Sequence, residues 1–126
     1  MQSDRNTIRI FLFFEAATFV VAALIHGGVL VAGYEHHEAH LAEAVIATVL
    51  VAALFVAWIR PARTRAAGLL GQGFALLGTL VGLFTIAVGV GPRTVTDVVY
   101  HVAIVVVLMW GLLLARRAGR SVNPHS

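Results

Sequence analysis

Four apolar stretches, each about as long as a bilayer crossing, constrain this chain more than any other feature. They run from about Ile10 to Ala32, Ala39 to Ile59, Ala66 to Val90 and Val95 to Ala115. A helix rising ~1.5 Å per residue needs ~20 residues to cross a hydrocarbon core of ~30 Å. In lipid every backbone N–H and C=O must find a partner within the chain, so only helices and closed barrels span. Four long segments cannot close a barrel. The expectation is therefore an all-α, four-helix transmembrane bundle over residues 1–126 as a single domain. The connections Gly33-Tyr34-Glu35, Pro61 to Arg65 and Gly91-Pro92-Arg93 are short. Short connections make consecutive helices antiparallel neighbours, giving an up-down-up-down order.

Composition agrees. The chain is 60% hydrophobic and 12% charged, too little charge to cover a water-facing surface. It has no cysteine, which excludes disulfides, thiol chemistry and Cys-ligated zinc or iron–sulfur clusters. All nine basic residues are arginines. Arg5, Arg9, Arg60, Arg63, Arg65, Arg116, Arg117 and Arg120 fall on one side of the expected topology, and only Arg93 on the other. This is the charge bias of cytoplasmic loops and not a nucleic-acid surface. It puts both termini in the cytoplasm of a multi-pass protein of the bacterial plasma membrane, with the arginines against charged lipid headgroups. Val31-Ala32-Gly33 offers small residues of the kind that end a signal peptide. The apolar run before it is longer than a signal core and contains Glu15, so it reads as a membrane helix.

Ionisable groups in a membrane helix cost ~2.5–3.5 kcal/mol each on insertion scales, so each needs a reason. Here they are Glu15, His26, His40, Glu43 and His101, with His36, His37 and Asp97 near helix ends. With the first helix running to Ala32, His26 lies about 10 Å below its outer end, and His101 lies about 9 Å into the fourth helix. Three helices thus carry a histidine at similar depth. His36, His40 and Glu43 share one stripe of the second helix, and Asp97 and His101 stack on the fourth. Such stripes turn inward, so they are expected to converge.

Two cofactor chemistries suit this set. His40 and His101, with His26 as substitute, could supply both axial ligands of a haem b for electron transfer, and Arg93 could meet its propionates. His26, His36, His40, Glu43 and His101 could instead hold a Zn, Cu or Fe ion, since imidazole and carboxylate suit these metals. Structural readings stand beside both. His37 reads as a hydrated loop end, and His125 as part of a polar tail. Thr94-x-x-Asp97 resembles a capping box. Glu15 and Gln72 fall at similar depth and read as interhelical packing glue. Glu15 and His26 also share a face, about 16 Å apart along the axis, with Thr18 between them as a bridge for protons.

The third helix carries Gly68, Gly71, Gly73, Gly78, Gly82 and Gly89. Gly78-x-x-x-Gly82 permits close helix approach, within the bundle, in a homo-oligomer or against a membrane partner that this protein would serve as an accessory subunit.

The run Glu35-His-His-Glu-Ala-His40 at the start of the second helix, with His101 in the outer half of the fourth, resembles one four-helix half of the haem A synthase family. The resemblance implies haem-facing histidines on the second and fourth helices and a functional glutamate at Glu35 or Glu38. It covers most of the chain on few residues, without the second half or the outer-loop cysteine pair.

Overall fold

The computed structural model describes residues 1–120. It contains four α-helices, α1 (Gln2–His26), α2 (His37–Ile59), α3 (Thr64–Ala87) and α4 (Val95–Arg117), with a 3₁₀ turn at Pro61–Arg63 between α2 and α3. All four helices are long and apolar enough to cross a membrane, which makes this a multi-pass membrane protein. His125 lies outside the described residues.

The largest departure from the sequence expectation is α1, which starts at Gln2 instead of Ile10 and ends at His26 instead of Ala32. The glycines after His26 explain the stop. Gly28 takes φ +75°, which L side chains rarely adopt. Gly28 N–H then donates to Ile25 C=O (3.0 Å) and Val29 N–H to Leu24 C=O (2.9 Å). These are the two bonds of a Schellman motif, which closes a helix by satisfying its last carbonyls. The apolar residues Val29 to Ala32 lie in the connecting loop. Gly89 (φ +87°) closes α3 in the same way, through Gly89 N–H to Ile86 C=O and Val90 N–H to Thr85 C=O. So α3 ends before Val90.

Consecutive helices pack closely along their lengths, while the closing seam between α1 and α4 is sparser. The core runs through Leu12, Phe19, Leu50, Ala75 and Leu108. Small residues set the spacing. A methyl at Gly71 would come within 2.7 Å of Ala53 Cβ, one at Gly78 within 2.8 Å of Ile46, and one at Gly82 within 3.1 Å of His101 Nε2. The Gly78-x-x-x-Gly82 face is therefore turned into the bundle and occupied by the protein's own side chains. Lipid meets the apolar rest, including Phe55, Leu77 and Trp110.

Glu15 and Gln72 meet as their depth suggested. Both are fully buried, with Gln72 Nε2–H donating to Glu15 Oε1 (3.3 Å). The thin backbone of Gly111 makes the room for them.

Candidate functional site

Because α1 stops at His26, this imidazole sits at the helix end instead of about 10 Å inside it. It is nonetheless only 5% exposed. His36 N–H donates to His26 C=O (2.9 Å) and ties the start of α2 over it. Its ring lies between carboxylates from two other helices. Nδ1 is 2.7 Å from Glu43 Oε2 on α2, and Nε2 is 3.3 Å from Asp97 Oδ1 on α4. Glu43 and Asp97 are themselves buried.

Asp97 serves two elements. Its Oδ2 accepts the N–H of Thr94 (3.0 Å) while Asp97 N–H donates to Thr94 Oγ1 (3.1 Å), so the expected capping box is present. In this position the carboxylate also lies near the positive end of the α4 dipole. Its second oxygen remains free to face His26.

His101, one turn further along α4, is 9% exposed. Its Nδ1–H donates to Asp97 C=O (2.7 Å), so Nε2 is left to face Gly82. The ring stacks edge-on against Tyr100 (5.4 Å between centroids), and Tyr100 packs likewise on Phe19. Among the described residues neither the buried Tyr100 hydroxyl nor the buried Glu43 Oε1 has a hydrogen-bond partner.

Two cavities flank the cluster. The larger, about 670 Å³, lies in the α1/α4 seam between apolar residues such as Phe14 and Ile25, with His26, Asp97 and Tyr100 among its polar lining residues. The smaller, about 230 Å³, lies among α2, α3 and α4 and is lined by Glu43, His101, Thr79, His36 and Glu38. His26 thus separates a carboxylate on the seam cavity from a carboxylate on the inner cavity.

The other sequence-derived candidates are placed elsewhere. His40 donates Nδ1–H to Ala23 C=O (2.7 Å), close to the end of α1, and lines a shallow groove between α1 and α2 with Val20, Leu24 and Thr48. His40 and His101 therefore face different spaces. His36 caps α2 by accepting the N–H of Ala39 at Nδ1 (3.3 Å) and lies at the mouth of the inner cavity. Arg93 is exposed and donates to Ile86 C=O (3.3 Å), covering the end of α3. Glu35 Oε2 accepts the N–H of Gly33 (2.8 Å) in the α1/α2 loop, and Glu38 is exposed at the start of α2. Thr18 lines the seam cavity but its hydroxyl donates to Phe14 C=O (2.7 Å).

The His40/His101 pair shares no space, and the cavity at His101 is smaller than the ~300–1,000 Å³ typical of small-molecule sites. Among the described residues no three His, Cys, Asp or Glu side chains are arranged to hold a metal ion. The donors of His26, Glu43 and Asp97 face one another and not a common centre.

His26, Glu43, Asp97 and His101 were all legible as members of inward stripes, with Asp97 also legible as a helix cap. The residue type and its four-residue spacing from His101 were the available signal. Tyr100 was missed, because a single tyrosine in an apolar helix has no distinguishing pattern. No protein-family model, curated protein or solved structure matches this chain.

Proposed function

We propose that this protein binds an amphipathic molecule of the membrane in the α1/α4 seam, and that His26 relays protons between Asp97 at the seam and Glu43 at the inner cavity when the molecule's oxygens accept hydrogen bonds there. The observation that carries this reading is the placement of His26, with both ring nitrogens on buried carboxylates, one facing each cavity. Two hydrogen bonds among three titratable groups require two protons. Either both sit on the ring between two carboxylates, or one sits on the ring and the other on Asp97 or Glu43. These distributions carry the same net charge, so a proton can cross the imidazole without placing a new charge in the apolar interior. A proton taken up by Asp97 at the seam is matched by one released from Glu43 to the inner cavity. There His101 Nε2, and then His36 and Glu38 at the mouth, lead to water. Histidine is the side chain whose ordinary proton affinity suits this task near neutral pH.

The seam cavity specifies the partner's shape. Its walls are mostly apolar, and His26, Asp97, Thr96 and Tyr34 are among the polar residues that line it. A ring with carbonyl oxygens on an apolar tail, the quinone class, meets these demands. On the arginine bias, the relay lies in the outer half of a bacterial plasma-membrane protein with cytoplasmic termini.

The test is calorimetric titration of nanodisc-embedded protein with a decyl-chain benzoquinone, in buffers of different ionisation enthalpy, which counts protons exchanged on binding. Saturable binding with a proton count that vanishes in His26→Gln is expected. Uptake no greater than by protein-free nanodiscs would overturn the reading.

The rival proposals have less to rest on. A haem b on His40 and His101, or a Zn, Cu or Fe ion on His26, His36, His40, Glu43 and His101, needs side chains to leave the bonds described above. An oxidised-minus-reduced optical spectrum with elemental analysis of the purified protein tests both. A partner or second copy docking on α3 must use a face other than the Gly78/Gly82 one.

A further inference from the structure

At the arginine-rich end, far from the His26 cluster, a buried cation has no counter-charge among the described residues. Arg9 is 7% exposed. Its position follows from Pro61. The carbonyl of Ala57 would accept the N–H of residue 61 in a continuing helix, but proline has none. Arg9 fills the vacancy, donating Nε–H (3.1 Å) and Nη2–H (2.8 Å) to Ala57 C=O, beside the Thr64 hydroxyl (3.1 Å). Nη1–H donates to Asn6 Oδ1 (3.3 Å). The Trp58 indole covers the guanidinium at 4.4 Å.

A guanidinium has five N–H donors, so two remain unspent. Among the described residues no carboxylate lies within ion-pairing distance of Arg9. Burying a cation without a counter-charge is unfavourable, and an anion beside it would offset that. Arg9 also lines a groove of about 340 Å³. Asn6, Arg9 and Trp58 form its polar end, and Phe13, Phe14 and Leu54 continue it toward the bilayer centre.

The geometry points to a specific anionic phospholipid site in this groove. The lipid phosphate takes the two free N–H groups of Arg9, and one acyl chain lies along Phe13 and Leu54. The phosphate chemistry alone would also suit a free phosphate ion. The apolar continuation of the groove assigns it to a lipid. Basic pockets between membrane helices bind anionic headgroups on this principle. Trp58 sits at the headgroup level, where its ring can meet both water and lipid.

The two tryptophans make the test direct. Trp58 borders the groove, while Trp110 is exposed on α4, away from it. Single-tryptophan proteins (W110F and W58F) are reconstituted with phosphatidylglycerol or phosphatidylcholine carrying brominated chains, and fluorescence quenching gives the relative association of each lipid. The expected result is a several-fold preference for the anionic lipid at Trp58, none at Trp110, and loss of the preference at Trp58 in Arg9→Gln. An equal preference at both tryptophans would reduce the effect to general attraction by the arginine-rich end and overturn the site. So would no preference at either. If inorganic phosphate abolishes the preference, the site takes the free ion and the lipid assignment falls. Should Arg9→Gln fail to fold, the comparison of the two tryptophans in otherwise unaltered protein still decides.

Discussion

His26 closes a helix and bridges two others with one side chain. Its ring bonds both Glu43 and Asp97, so its removal leaves two buried carboxylates without their common partner. Removing one member of a buried ionic group costs ~3–5 kcal/mol, mostly from the charges left behind. His26→Ala should therefore lower stability by about that much in an SDS-unfolding or steric-trapping measurement. The combination with Glu43→Gln and Asp97→Asn should recover a large part of the loss. An additive triple variant would show that the three side chains act separately. His40→Ala should cost less, since it loses a single bond to Ala23 C=O at a half-buried position.

At the scale of elements, glycine placement decides which helix faces touch. Gly82 and Gly73 lie on the same helix in opposite circumstances. A methyl at Gly82 meets His101 Nε2 at 3.1 Å, whereas one at Gly73 meets nothing within 4 Å. Gly73→Ala should be neutral or stabilising, by up to ~1 kcal/mol, because alanine favours the helix. Gly82→Ala should displace the His101 ring, and a change in the His101 signal without unfolding would show it in NMR spectra. A silent Gly82→Ala would place His101 elsewhere. The same elements show what the sequence could reveal. Span number, antiparallel order, the Thr94–Asp97 cap and the Glu15–Gln72 contact were legible because each rests on local spacing or length. The end of α1 was not. Gly27-Gly28 is a stop signal, but Val29 to Ala32 continue the apolar run, and apolarity alone does not separate a membrane helix from a loop folded against it. The role of Arg9 was hidden for a different reason. It reads as one more topology marker until the orphaned carbonyl of Ala57, remote in sequence, is brought beside it.

In the whole molecule, the unequal packing of the bundle gives the cluster its setting. The close α1/α2, α2/α3 and α3/α4 contacts leave the α1/α4 seam as the place where a cavity of about 670 Å³ opens, and the small residues of α3 leave one of about 230 Å³ inside. The polar stripes were readable helix by helix. Which cavity each carboxylate lines depends on how helices remote in sequence are rotated about one another, and periodicity does not contain that. A relay through His26 requires its ring to share protons with both cavities' carboxylates. Ring-¹⁵N NMR of histidine-labelled protein in bilayers tests this, with His26→Gln assigning the signals. Both His26 nitrogens should be in strong hydrogen bonds, with Glu43→Gln shifting chiefly the Nδ1 signal and Asp97→Asn chiefly the Nε2 signal. A neutral His26 with one bare nitrogen, indifferent to both substitutions, would contradict it.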